Sequence, residues 1–530
     1  MKADVTCFHH LFMDCNSIIY DSFRILEQTR PELLDNHDEL ETTIIQTVIR
    51  KISDYILYIN PTTTAYVAFD GVAPFAKMDQ QRNRRYKGSV LSKITAHVKQ
   101  TDIEKSPWST SNITPGTNFM RKLGERVTTA FKGLETHYKV KNLIISTSDS
   151  CGEGEHKMFQ YMRQHNMPAT DTCAVYGLDS DLIMLSVFHC SLYQNMFIFR
   201  ETPEFGQQFL PQDMKIDTDK NSCLFMDIHS LSRAILSEMQ CGATDPHRIY
   251  DYVFLCFFLG NDFLPHFPSL NIRTTGIDTL LDTYRKFIGK VPDRFFISRS
   301  MKIQWEWVSL FIQHLAEYEH DRFISEYDLR AKWSARKWLV GSEQERDFTM
   351  QSVPVIYRSE ELYICPQEKQ WDQRYYATLF EPDVARQDIC LNYLQGLQWV
   401  FSYYTNDCVD WKWKYNYYYP PLLSDLTKYV PSGTHDFFLT QNVAPFSPYV
   451  QLAYVLPQQS YSLLPGHVRD DMLSKWSDYC VSEFPFQWAF CRYFWEAHAV
   501  LPVIPIKVLE SWEHDWGAST KPARKRASKR

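Results

Sequence analysis

Short apolar runs recur through the first half of the chain, and each is closed by acidic residues. HHLFMD ends at Asp14 and TAYVAFD at Asp70. LIIS at 143–146 runs ahead of Glu153 and Glu155, and CAVYG at 173–177 runs ahead of Asp179 and Asp181. Runs of this length, rich in β-branched and aromatic residues, predict buried strands. The intervening stretches have helical spacing. In NFMRKLGERVTTAFKGLETHYK at 118–139, Phe119, Leu123, Val127, Phe131 and Leu134 fall on one side, which predicts a helix between the second strand and the third. Alternation of this kind from residue 8 to about 288 predicts an α/β fold with a mainly parallel central sheet flanked by helices. VFLCFFL predicts a strongly apolar helix, with Asp262 just beyond it.

The acids carry the first chemical signal. Residues at the C-terminal ends of parallel strands converge on one crevice, where ligands bind in α/β sheets. Glu153, Glu155, Asp179 and Asp181 form two pairs spaced i, i+2. Held together, they repel unless cations share the site. Oxygen ligands without nearby Cys or His suit Mg²⁺ or Mn²⁺ rather than zinc. Several carboxylates around two such ions are the machinery of phosphodiester hydrolysis, so a nuclease is the first hypothesis. The plainer alternative is helix capping by Asp and Glu, which favour helix N-termini. It explains one pair better than it explains two with the same grammar.

A second signal follows Asp70. KMDQQRNRR places Lys77, Gln81, Arg84 and Arg85 at steps of four, three and one, bringing several to one helix side. Arginine forks suit phosphate oxygens. A solvated basic face is the alternative for this segment taken alone.

Composition changes the picture only in places. The net charge of −7 is uninformative about nucleic acid, because metal-site acids count as negative while basic residues cluster locally, here at Lys77–Lys87 and in KPARKRASKR. Thirteen scattered cysteines without a CxxC pair argue for reduced thiols in an intracellular setting, cytoplasmic or nuclear. MKADVTCFHH is too polar for a signal peptide, and no run of about 18 apolar residues suggests a membrane span. Residues 291–370 are less periodic and charged, as in AKWSARKW and GSEQERD. From 371 the chain is dense in Trp and Tyr: WDQRYY, WVFSYY, WKWKYNYYYPP. Most of these rings should pack, and a minority could stack on bases. The organisation expected is a core over 1–290, a variable bridge over 291–370, a mixed aromatic-rich block over 371–512 packed against the core, and a basic disordered tail over 513–530. That tail could import the chain into the nucleus, tether RNA or simply aid solubility.

GVAPFAKMDQQRNRR, SNITPGTNFM, GEGEHK, YGLDSDLIM and GNDFLPHFPSL follow one another in the order of a known family. With them, WDQRYYATLF, YLQGLQWVFSYY, WKYNYYYPPLLSDL, PFSPYVQLAYVLP and EFPFQWAFCRYFWEAHAVLP complete a pattern that resembles the Xrn-type 5′→3′ exoribonucleases, relatives of the flap endonucleases. The resemblance runs from about residue 11 to about 510 and is weakest between roughly 290 and 370. It implies a PIN/flap-nuclease-like core and metal-dependent degradation of single-stranded RNA bearing a 5′ monophosphate, with release of mononucleotides. It also implies two ions held by Asp14, Asp70, Glu153, Glu155, Asp179, Asp181 and Asp262, with Lys77, Gln81, Arg84 and Arg85 around the 5′ phosphate. Tyr20 would stack on the terminal base opposite Trp411 or Trp413. A monomer is expected, with no membrane contact. Asp251 is either a supporting residue or a surface charge, and SLNIRTTGIDTLLDTYRKF is either a nucleic-acid backbone contact or an ordinary connector.

The chain departs from the family pattern in three places. The usual segment before the first strand is absent, Tyr20 stands where a His is usual, and Phe75 replaces a basic residue. Ending soon after the second block, the sequence looks like a minimal version. Two other classes stay open: a structure-specific flap-type DNA nuclease, disfavoured by the second block, and a catalytically weak RNA-binding scaffold, disfavoured by the complete set of seven acids.

Overall fold

The computed structural model describes residues 7–99, 108–165, 167–177, 179–201, 223–241, 245–438 and 443–517. The chain forms two compact units, and neither is continuous in sequence. The first comprises 1–73, 107–235 and 404–407, and the second 74–106, 236–403 and 408–530.

The first unit is built on a six-stranded sheet: β1 (His10–Asp14), β2 (Thr64–Ala68), β3 (Asn142–Ser146), β4 (Thr172–Tyr176), β5 (Asn195–Glu201) and β6 (Cys223–Asp227). Its order is β3-β2-β1-β4-β5-β6, parallel throughout except for the β5–β6 pair. β2 and β4 are buried along their whole length, as expected for strands covered on both faces. Register aligns Asp14 with Ala68 and Ala68 with Ser146, so β1, β2 and β3 end level at one edge. The strand order reverses between β1 and β4, the switch point at which such sheets open a crevice.

Helices α1 (Asn16–Thr29), α2 (His37–Ile59) and α4 (Asn118–Phe131), together with α3 (Phe75–Lys99) of the second unit, precede β3 in chain order. Phe119, Leu123, Val127 and Phe131 of α4 join the core as their spacing predicts, and Leu134 packs against it. The helix expected over 118–139 is nevertheless broken. Gly133 adopts a left-handed conformation, and a separate turn, α5 (Glu135–Tyr138), follows. Three further helices belong to the argument: α6 (Gly154–Gln164) and α7 (Ser180–His189) in the first unit, and α9 (Arg248–Cys256) in the second, with α8 (Ile228–Met239) between them in sequence.

Among the described residues the second unit is mostly helical, with an antiparallel pair of two-residue strands, Phe486–Gln487 with His498–Ala499. The charged stretch after 290 folds into helices such as Trp305–Glu317 and Glu319–Ser334. Part of its charge is internal: Glu361 accepts from the guanidinium groups of Arg330 and Arg358, all three buried. Asp251 is fully buried and is no surface charge. It accepts from the Tyr284 hydroxyl at 2.5 Å and from the Ile297 amide at 2.9 Å. No helix among the described residues is long and apolar enough to cross a membrane.

Candidate active site

Four strand ends deliver the acids of the first unit. Asp14 is the last residue of β1, and Asp70 follows β2 by two positions. Glu153 is the N-cap of α6 and Asp179 the N-cap of α7, with Glu155 and Asp181 in the first turns. Capping is real at α7: the Asp179 side chain accepts from the Asp181 amide, at 3.5 Å.

Asp70 is fixed from two sides. Its Oδ1 accepts from the Gly154 amide at 2.7 Å, and its Oδ2 accepts from the Asn16 side-chain amide at 2.5 Å. The Asn16 carbonyl oxygen in turn accepts from the Asp70 backbone at 3.1 Å. Gly154 also brings the start of α6 against Asp14. A Cβ there would lie 2.7 Å from Asp14 Oδ1 and 3.4 Å from Asp70 Oδ1.

The electrostatics ask for a cation. Burial pushes the Asp14 carboxyl up to about 8, and the charge of Asp70 adds to this, with Asp179 and Glu153 contributing further. The backbone amide of Asn16 opposes the shift only in part. Glu153 and Glu155 are buried, and their oxygens and a ring nitrogen of His156 lie within 4.8 Å of one another. The expectation of oxygen donors alone therefore needs correction, because an imidazole stands beside the acids. Carboxylates crowded in this way fit a divalent ion.

Sequence reasoning missed Lys157. It is 5% exposed, and its ammonium donates to the carbonyls of Phe69 and Thr147, each at 2.8 Å. These carbonyls close the ends of β2 and β3, immediately ahead of Asp70 and of the loop to Glu153. Lys157→Met leaves the buried Phe69 carbonyl unsatisfied, at about 1–3 kcal/mol, and the Thr147 carbonyl with the Ser150 amide alone. Turnover should fall about tenfold or more while KM stays within a few-fold, and the melting temperature should drop by several degrees. Parallel steady-state kinetics and thermal melts check both. The signal was present in GEGEHK, but spacing says nothing of which carbonyls a lysine will reach.

The remaining expected residues lie in the second unit, apart from Tyr20. Asp262 follows α9 and a short 3-10 turn, Phe257–Leu259, and pairs with Lys77 at 2.7 Å. An expected metal ligand and an expected phosphate ligand thus partner one another. Lys77, Gln81, Arg84 and Arg85 all lie on α3, as the spacing predicts, with Arg84 exposed and Arg85 half-buried. Gln81 accepts from Gln451 at 3.3 Å. Phe75 opens α3 and is buried, edge-on to Tyr454. Trp413 is buried, stacked on Trp399 with centroids 5.2 Å apart, whereas Trp411 is half-buried. Tyr20, on α1, is half-buried against the core of the first unit.

An acid-lined crevice at the edge of a parallel sheet defines an α/β domain suited to binding divalent cations. Comparison with known proteins narrows this. Residues 2–202 match the family described as the XRN 5′-3′ exonuclease N-terminus, and residues 244–361 and 364–517 match the Xrn1 helical domain. The chain belongs to the XRN 5′-3′ exonuclease family. It is 25% identical to 5′-3′ exoribonuclease 2 of Arabidopsis thaliana, an alignment covering 95% of this chain and 62% of that protein. It is 26% identical to 5′-3′ exoribonuclease 1 of Homo sapiens, over 96% of this chain and 32% of the relative. The corresponding enzyme 2 of Gallus gallus gives 25%, over 94% and 64%. The chain therefore spans less than two thirds of the length of these relatives. Nucleases of this family are metal-dependent, and the acidic cluster is present here.

Proposed function

We propose that this protein is a metal-dependent 5′→3′ exoribonuclease that degrades single-stranded RNA carrying a 5′ monophosphate and releases mononucleotides. The observation that supports this reading best is the approach of Asp14, Asp70 and the start of α6, where burial first, and then the charge of Asp70, raises the Asp14 carboxyl to about 8. Asp14, Asp70, Glu153, Glu155, Asp179, Asp181 and Asp262 would hold the ions. Two Mg²⁺ or Mn²⁺ bound there would supply charge stabilisation and an acidified water for in-line hydrolysis.

The chain's own residues do the rest. Asn16 and the Gly154 amide orient the Asp70 carboxylate, and Lys157 holds the backbone that carries it. Direction comes from α3, where Lys77, Gln81, Arg84 and Arg85 would bind one terminal phosphate and exclude larger ends by size and charge. Stacking of the terminal base falls to Tyr20 and to Trp411, since the burial of Trp413 leaves its neighbour with more ring surface to offer. A monomer would suffice for these steps. The thirteen unpaired cysteines accord with a reducing compartment, cytoplasmic or nuclear.

The test of end recognition is a rate comparison on 5′-phosphate and 5′-hydroxyl RNA. Wild type should prefer the phosphate, and Arg84→Ala and Arg85→Ala should each cut that preference about tenfold, the worth of one charge-assisted contact. Activity on the hydroxyl substrate should change less. Equal rates on both substrates for wild type would remove the phosphate role from α3.

A further inference from the structure

A fully buried glutamine stands where an apolar side chain would pack at less cost. Gln451 lies in the middle of the helix Pro448–Val455, between buried Val450 and buried Leu452 in sequence. Glutamine is rarely buried to this extent, because an amide taken out of water must recover its hydrogen bonds inside the protein. Gln451 does so in part on α3, where its Nε2 donates to Gln81 Oε1 at 3.3 Å. Both residues belong to the second unit.

The helix is held against α3 independently of this bond. Tyr454, one turn on from Gln451, meets Phe75 edge-on and donates its hydroxyl to Asp79. Lys414 donates to the same carboxylate oxygen at 2.9 Å, and the Arg82 guanidinium lies over the Tyr454 ring, 4.9 Å from its centroid. Phe75, Asp79 and Arg82 recur at steps of four and three, so they mark the side of α3 that faces Tyr454. Lys77, Arg84 and Arg85 leave the helix on a different side. Gln81 belongs with them, one turn after Lys77 and one turn before Arg85, yet its carbonyl oxygen is taken by Gln451.

That bond decides what Gln81 offers a ligand. A glutamine amide carries an acceptor oxygen on one side and two N–H donors on the other. With the oxygen held by a donor, the N–H groups are directed away from Gln451. Turned over, the same side chain would bring lone pairs, and a repulsion, to an anion.

We propose that Gln451 is a positioning residue for recognition of the 5′ end, fixing the Gln81 amide so that its N–H groups rather than its oxygen meet the terminal phosphate. The inference rests on the reading of Gln81 as a phosphate ligand.

The ratio of kcat/KM on 5′-phosphate RNA to that on 5′-hydroxyl RNA, taken within one preparation of the full chain, tests it. A loss of folded protein cancels in that ratio. Gln451→Met keeps the length and the apolar packing of the side chain and removes the donor. The ratio should fall about fivefold, chiefly through a higher KM on phosphate RNA, because an unheld amide must be ordered as the phosphate binds. Gln81→Met should lower the ratio about tenfold. Adding Gln451→Met to Gln81→Met should lower it no further, since residues that act through one another are not additive. An unchanged ratio in Gln451→Met, or a further loss in the double variant, would overturn the proposal and leave Gln81 as a phosphate ligand. A ratio that Gln81→Met does not move would remove the phosphate role of Gln81, and with it the role of Gln451.

Discussion

Asp14→Asn should abolish hydrolysis, by at least about a thousandfold or about 4 kcal/mol of transition-state stabilisation, while raising the melting temperature of the metal-free protein. The two effects have one origin. Asp14 sits half-buried among like charges, and desolvation with those charges pushes its carboxyl up to about 8. An unfolded aspartate titrates near about 4, so between these values the folded state holds more protons than the unfolded one. Stability of the metal-free protein is therefore greatest at low pH in this window and falls as the pH rises through about 8. The amide cannot ionise and removes that loss. Mg²⁺ should also remove it in wild type, by countering the charge directly. Melts at several pH values, with EDTA and with Mg²⁺, check the sign. A melting temperature of wild type that rises with pH in EDTA would contradict the argument.

The second large effect is expected at a residue with no functional group. Gly154→Ala should reduce cleavage by about a hundredfold or more and change the melting temperature by only a few degrees. The new Cβ would meet Asp14 Oδ1 at 2.7 Å. That atom is the free end of a side chain, so it can rotate away at modest cost to the fold. Its rotation, however, moves a carboxylate out of the cluster, and metal sites tolerate little misplacement of ligands. Substitution at Gly71 should behave differently. A Cβ there would lie 1.7 Å from the Ser150 carbonyl oxygen, a backbone atom that cannot step aside, so Gly71→Ala should cost the fold itself. Circular dichroism melts beside initial rates separate the two cases.

Much of the first unit was readable before its coordinates. Strands buried on both faces leave continuous apolar runs, and the acids that end them stand out against that background, as at Asp14, Asp70 and Asp179. The break after Phe131 was not readable, because a single glycine is tolerated within a helix and only its left-handed conformation reveals the stop. Asn16 and Lys157 were missed for a related reason. Their roles depend on which backbone groups the parallel register brings together, and that register is a long-range property of the sheet. In the second unit, aromatic density announced a packed block but could not separate Trp411 from Trp413, since only burial does so. Nor does a linear reading show that α3 groups with the later half of the chain.

The most direct measurement follows the fate of a 5′-end label on a long single-stranded RNA in Mg²⁺. The label should appear as mononucleotide from the earliest time points, without labelled intermediates of other lengths. EDTA should stop the reaction, and a 5′-hydroxyl should slow it. Labelled fragments that shorten gradually, or labelled oligonucleotides released by internal cuts, would contradict a 5′→3′ exoribonuclease.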